Sequence, residues 1–216
     1  MVDVKSIKGW DYLKLSLLVF VCIHIENVYI MLGNLLLKEA VSSTLLAIIN
    51  WVATGLSWGL VVYLTIRYAK KNLGFSLNCN EKIGIIRWGI VLIPVLVKAI
   101  LWCTFGDGLM VYQTFVKYGV VKFIFQYIYY IFETAMFTSI VVFGQLGCEK
   151  WFKNRIIPYG GIICGLTWGL MHTFYQGRVA DGIYHMVEGF IFGIVYLILK
   201  KDVYKTYLIL FLTFTL

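Results

Sequence analysis

Charged residues are scarce in this chain, and their scarcity excludes an ordinary soluble domain. Of its 216 residues, 14% are charged and 61% are apolar, whereas soluble domains average about 25% charged and about 45 to 50% apolar residues. The chain also has only two prolines and no linker rich in serine, glycine or charge, which argues against separate domains. We therefore predict a single integral membrane domain over residues 1–216.

Cysteine pairs and a cleavable leader are lacking as well. The five cysteines form no C-x-x-C pair and show no spacing typical of metal sites, so no disulfide framework is expected. Most of them lie in apolar runs, where cysteine behaves as a small hydrophobic residue. No small-residue cleavage site follows a short apolar core near the N-terminus. We therefore expect the first apolar run to be retained as a helix.

Long apolar runs are abundant. Crossing about 30 Å of hydrocarbon takes roughly 20 apolar residues. Runs of about this length lie near residues 11–32, 43–66, 84–104, 123–146, 157–176, 180–199 and 203–216, the last being short. The sequence therefore predicts an all-α fold, a polytopic transmembrane helix bundle with about seven spans.

The basic residues predict an orientation for this bundle. Fourteen Lys and Arg residues lie at the N-terminus, just inside the first span, or in the loops after the second, fourth and sixth spans, and four lie in the opposite loops. Cytoplasmic loops carry an excess of Lys and Arg. We therefore expect a cytoplasmic N-terminus, in a prokaryotic plasma membrane. The same bias explains the net charge of +8, so no nucleic acid is expected as a partner.

A few ionisable residues interrupt the apolar runs. Glu133 is the only charged residue between positions 122 and 149. At the bilayer centre such a side chain costs about 2.5 to 3.5 kcal/mol, so it marks a functional site by default. His172, His185 and Glu188 fall in the same predicted outer half of the membrane, and His185 and Glu188 share a helix face because they are three residues apart. The pattern predicts one polar cavity that opens on one side.

Other residues in these spans favour structural roles. We expect His24 and Glu26, on different faces of the first helix, to make interhelical hydrogen bonds. Lys98 lies near a helix end and is expected to extend its charge to the membrane surface. The G-x-x-x-G motifs at residues 165–169 and 189–193 predict helices that approach each other closely.

Two motifs and one helix carry a resemblance to a known family. ETAMFTS (133–139) is similar to E-E-x-x-x-R with Phe before the Arg, WGLMH (168–172) to F-x-x-x-H, and FIFGIVYLILKKD (190–202) to a glycine-containing helix with its following turn. In these residues, over about 120–216, the chain resembles the CPBP group of intramembrane proteases. This group includes CAAX-processing endopeptidases, bacteriocin-processing proteins and abortive-infection (Abi) proteins.

The resemblance implies a membrane-bound hydrolase. Glu133 and His172 would be the catalytic residues that activate the attacking water, and the substrate would be a peptide or protein segment that enters from the lipid bilayer. His185 and Glu188 would form a second wall of the site. Participation of a metal is left open by the resemblance; a divalent ion such as zinc, in a metalloprotease-like site, would take Glu133, His172 and His185 as ligands.

The departures from the family pattern keep two alternatives open. Thr134 stands in place of the second Glu, Thr138 in place of the Arg, and the terminal LILFLTFTL lacks the H-x-x-x-N motif. A non-catalytic protein that binds a peptide or partner, in an immunity or regulatory role, fits these losses. A small proton-coupled transporter using Glu133 ranks last because the chain shows no internal repeat. The expected orientation also places the site outside, whereas family members that process prenylated proteins face the cytosol.

Overall fold

The protein is a bundle of helices. The computed structural model describes residues 7–78, 81–106 and 108–216, and every regular element in these ranges is helical, as predicted. In chain order the elements are α1 (Gly9–Ile23), α2 (Ile25–Leu36), α3 (Ser43–Leu73), α4 (Ile85–Phe105), α5 (Met110–Phe152), α6 (Tyr159–Cys164), a π-helical turn (Gly165–Gly169), α7 (Leu170–Gln176), α8 (Val179–Ile198) and α9 (Val203–Thr215).

Five helical stretches in the described part of the chain are long and apolar enough to cross a membrane. They are α1 with α2, α3, α4, α5 and α8. The predicted span at 157–176 is built from α6, the π-helical turn and α7, and the last predicted span is the shorter apolar helix α9. The all-α fold is therefore confirmed, the five long apolar stretches are compatible with a transmembrane bundle, and the number of seven spans stays a prediction.

Helix α5 lies at the centre of the bundle and carries Glu133. It contacts α1, α3, α6, α8 and α9, and the whole run Met136–Gln145 is buried. Burial on all faces rather than along one stripe is typical of a helix enclosed by other helices. Near its beginning, Gly119 has a φ of 70°, a backbone conformation that glycine adopts without steric cost. This kink separates the first turns of α5 from its long buried part.

The basic segments lie together at one end of the bundle. At the start of α1, the Tyr12 hydroxyl donates a hydrogen bond of 2.7 Å to the Leu73 carbonyl at the end of α3. In the turn between α8 and α9, Lys201 pairs with Glu149 near the end of α5 at 2.6 Å. Lys150, beside Glu149, donates to the Ile7 carbonyl just before α1 at 3.3 Å, so the N-terminal end and the loops predicted to be cytoplasmic lie at one end of the bundle.

Glycines bring the helical stretch at residues 159–176 backbone to backbone with α8. A Cβ added to Gly169 would stand 2.6 Å from the carbonyl oxygen of His185, and one added to Gly193 would stand 2.5 Å from the Cα of Gly161. Real Cβ contacts essentially never fall below 3.0 Å, so these positions leave no room for a larger residue. The close approach predicted from the two G-x-x-x-G motifs is present.

We expect Gly161→Ala to destabilise the bundle. The new Cβ would lie 2.6 Å from the Phe190 carbonyl oxygen and 2.8 Å from the Cα of Gly193, and these backbone atoms cannot rotate away. Overpacking of this kind costs about 1 to 3 kcal/mol, which a thermal unfolding curve in one detergent measures. Gly89→Ala is the control, because nothing lies within 4 Å of its added Cβ. Equal melting temperatures for the two variants would contradict the close packing.

Candidate functional site

A cavity of about 330 Å³ contains the two residues predicted to be catalytic, Glu133 and His172. Its walls come from the junction of α1 and α2, from α5, and from the π-helical turn with α7. The lining residues are Phe20, Ile23, His24, Glu26, Asn27, Ile30, Tyr129, Glu133, Trp168, Met171, His172 and Tyr175. The structure therefore brings the carboxylate and the imidazole to the same cavity.

Trp168 links Glu133 to His172. Its indole Nε1–H donates to Glu133 Oε1 at 3.3 Å, and its backbone carbonyl lies 2.9 Å from His172 Nδ1. A carbonyl only accepts hydrogen bonds, so Nδ1 carries a proton and Nε2 of the neutral ring is the acceptor. Among the described hydrogen bonds none joins Glu133 directly to His172. The two residues share a cavity and a bridging tryptophan.

Local helix geometry positions Trp168. It lies in the π-helical turn GLTWG, where the Thr167 hydroxyl donates to the Ile163 carbonyl at 2.6 Å. Single π-helical turns inside α-helices frequently occur at functional sites. The sequence contains no signal for this turn beyond its glycines.

Buried aromatic rings support the Trp168 side chain. Its ring centroid lies 4.9 Å from that of Phe137, the residue aligned with the Phe of the first family motif. Phe137 in turn stacks on Phe192, with centroids 4.9 Å apart, and contacts Phe214 at 5.3 Å. The indole is therefore held by α5, α8 and α9 together.

A helix break turns His24 and Glu26 towards the cavity. Helix α1 ends at Ile23 and α2 begins at Ile25, so both side chains line the cavity instead of pointing to different sides of one helix. Both make the interhelical hydrogen bonds that the sequence led us to expect. The Tyr129 hydroxyl donates to Glu26 Oε1 at 2.8 Å, and His24 Nδ1 lies 2.8 Å from the Tyr175 hydroxyl.

A chain of buried polar contacts runs behind His172. The His172 and His185 rings lie 3.9 Å apart between centroids. His185 Nδ1 is 3.0 Å from Glu188 Oε2, and Glu188 Oε1 is 2.9 Å from Lys98 Nζ. His185 and Glu188 thus share a face of α8, and the described lining of the cavity includes neither. They support His172 from behind, and the second wall of the cavity comes from α1 and α2.

The expectation that Lys98 extends to the membrane surface is wrong. Its side chain is only 10% exposed, and its ammonium group also donates to the Phe214 carbonyl at 3.1 Å. Phe214 is one of the last residues of α9, and the last carbonyls of a helix lack partners within the helix. Lys98 therefore binds α8 and α9 to α4 inside the bundle.

Two threonines mark where the site departs from the family motif. Thr134 and Thr138 take the places of the family's second Glu and Arg, and both are buried. In the described part of the chain their hydroxyls have no hydrogen-bond partner. At these two positions α5 therefore lacks the carboxylate and the guanidinium group of the CPBP motif.

The three side chains considered as metal ligands do not make a metal site. Within residues 7–78, 81–106 and 108–216, no group of three or more His, Cys, Asp or Glu side chains could hold a metal ion. Glu133, His172 and His185 therefore do not fit a zinc ion as a set.

Comparisons with protein-family models, with curated proteins and with solved structures find no match to this chain. The resemblance to the CPBP group therefore rests only on the motifs around Glu133 and His172.

Proposed function

We propose that this protein is an intramembrane endopeptidase of the CPBP type that cleaves a membrane-associated peptide or protein. The observation that carries the proposal is the shared cavity of Glu133 and His172 inside an otherwise apolar bundle. Placing a carboxylate within a membrane helix is costly, and such residues characteristically serve binding or catalysis. An acid and an imidazole at one cavity are the groups that general acid–base hydrolysis requires.

Glu133 is the general base in this mechanism. One of its oxygens accepts the Trp168 N–H, and the other takes a proton from water. His172 Nε2 accepts the second hydrogen of that water and orients it. The hydroxide attacks the carbonyl carbon of the scissile bond, and Glu133 returns its proton to the amine nitrogen as the C–N bond breaks. Proton transfer by a positioned side chain contributes about 10² to 10⁴-fold to the rate.

His185 and Glu188 are positioning residues in the same mechanism. Glu188, anchored by Lys98, accepts the hydrogen bond of His185 Nδ1, and the His185 ring packs on that of His172. The ion pair thus restricts the orientation of the imidazole that holds the water.

A seven-span topology with a cytoplasmic N-terminus, in a prokaryotic plasma membrane, completes the proposal. In a background without native cysteines, we expect Lys70→Cys and Lys153→Cys to react with an impermeant maleimide only from the cytoplasmic side. Tyr112→Cys, in the segment 106–116, should react only from the outside, since the bias of fourteen basic residues against four favours a cytoplasmic N-terminus. Labelling of Tyr112→Cys from the cytoplasmic side would show that the topology is inverted and that the cavity lies in the inner half of the membrane.

Binding without catalysis is a second candidate function, and Thr134 and Thr138 favour it. Family motifs carry charge at these two positions, whereas here the side chains are neutral, buried and without hydrogen-bond partners in the described structure. The same cavity would then hold a peptide segment of a partner protein, in an immunity or regulatory role.

Sequencing of protein termini distinguishes the two functions. Membranes from cells with and without the gene are compared for the N-termini of membrane-associated proteins. A hydrolase creates termini that depend on the gene, and a binding protein leaves all termini unchanged while a partner co-purifies with it. Identical termini in both membranes would contradict hydrolysis.

A further inference from the structure

A second opening lies at the basic end of the bundle, away from Glu133. This groove of about 660 Å³ runs between the start of α1 and the end of α3 and shares no lining residue with the cavity of Glu133. Three cations line it, namely Lys14, Arg67 and Lys71. All three side chains are exposed.

The three cations keep their charge available. Within the described residues none of them makes a salt bridge. Lys14 Nζ lies 5.7 Å from the centre of the Trp10 ring. Arg67 donates one hydrogen bond, to the Tyr63 hydroxyl at 3.3 Å, which leaves most of its five N–H donors free for an anion.

The carboxylate in the groove is already engaged by its own helix. Asp11 Oδ2 accepts a hydrogen bond of 2.7 Å from the Lys8 backbone N–H at the beginning of α1. A carboxylate in the first turn of a helix is stabilised there by the helix dipole. With three cations against one carboxylate, the groove stays positive and favours an anion.

The apolar part of the groove lies deeper than its charged part. Leu18 follows Lys14 by four residues along α1, and Leu64 precedes Arg67 by three along α3. At 1.5 Å per residue, the two leucines lie about 4.5 to 6 Å further in. Leu18 is 50% and Leu64 is 51% exposed, whereas Leu15, which also lines the groove, is buried. Cations at the mouth of the groove and apolar side chains below them match a phospholipid, whose charged headgroup lies above its acyl chains.

We propose that this groove binds one anionic phospholipid. Its phosphate contacts Lys14, Arg67 and Lys71, and one acyl chain lies along Leu18 and Leu64. Arg binds phosphate oxygens through two parallel hydrogen bonds, with Lys adding point charge, and basic pockets between membrane helices on the cytoplasmic side suit anionic headgroups. The apolar depth of the groove selects a lipid over free phosphate. The inference depends on membrane insertion and is independent of hydrolysis.

Native mass spectrometry of the full chain tests the site by measuring how much lipid stays bound after release from micelles. The micelles contain added phosphatidylglycerol or phosphatidylcholine with the same acyl chains. Each cation near an anionic lipid contributes about fivefold in affinity, so the three together give about a hundredfold preference for phosphatidylglycerol. We expect the triple variant Lys14→Gln/Arg67→Gln/Lys71→Gln to lose this preference.

A matched triple variant separates a site from general surface charge. Lys70→Gln/Lys82→Gln/Lys153→Gln removes the same charge from exposed lysines that do not line the groove, and it should bind phosphatidylglycerol like the wild type. Leu18→Trp, which fills the deeper half with all charges intact, should also lose the bound lipid while its unfolding temperature stays unchanged. Equal binding of both lipids by the wild type, equal losses in the two triple variants, or displacement of the lipid by inorganic phosphate would overturn the proposal.

Discussion

Glu133→Gln is expected to leave the protein inserted and folded while it reduces product formation about 10² to 10⁴-fold, the usual contribution of a general base. Gln keeps the volume of Glu and can still accept the Trp168 N–H. A structural role would therefore lose little, on the order of the 0.6 kcal/mol that interhelical hydrogen bonds average. The measurement is the yield of gene-dependent termini in membranes that contain equal amounts of each variant.

The cavity offers a matched control for this substitution. Glu26→Gln makes the same change at the other carboxylate of the cavity, whose assigned role is a hydrogen bond with Tyr129, and it should keep most of the activity. His172→Gln should be as inactive as Glu133→Gln, because a base and its partner act as a unit. Full activity in both Glu133→Gln and His172→Gln would favour binding without catalysis.

Breaking the buried ion pair is expected to have the largest effect on stability. Lys98→Met leaves Glu188, only 6% exposed in its side chain, without its cation. Removing one partner of a buried pair typically costs about 3 to 5 kcal/mol, because the other charge stays buried and unpaired. We expect a correspondingly lower unfolding temperature in detergent, together with loss of the support behind His172.

Two further variants separate the effect of burial from that of charge. Lys98→Met/Glu188→Met removes both charges and should recover much of the lost stability, because apolar replacements of buried pairs are often neutral or stabilising. Arg178→Gln breaks a pair whose Arg side chain is 74% exposed, and it should cost less than about 1 kcal/mol. A loss from Lys98→Met no larger than that from Arg178→Gln would contradict the buried arrangement.

The helices follow from the sequence because the length and composition of apolar runs are local properties. Each of the seven predicted spans coincides with a helical stretch, including the short last one, α9. The breaks within these stretches do not follow in the same way. The interruption at His24 and the π-helical turn at residues 165–169 depend on what packs against them, and neither residue type nor periodicity predicts them.

In the site, too, the residues with a local sequence signal could be predicted, and those whose role depends on distant contacts could not. Glu133 stands out because it is the only charge in a long apolar run, and His185 with Glu188 because helical spacing places them on one face. The ion pair of Lys98 has no local sequence signal, because its partner Glu188 lies 90 positions away in sequence. Tyr129 likewise gives no local signal, although it bonds the second carboxylate of the cavity.

An experimental map of the cavity at a resolution that shows ordered water tests the central claim most directly. Hydrolysis by Glu133 and His172 predicts a water molecule within hydrogen-bond distance of both the Glu133 carboxylate and His172 Nε2, with Trp168 bonded to each residue as described. A direct, packed hydrogen bond between Glu133 and His172 with no room for water, or a Glu133 carboxylate that faces lipid, would contradict it.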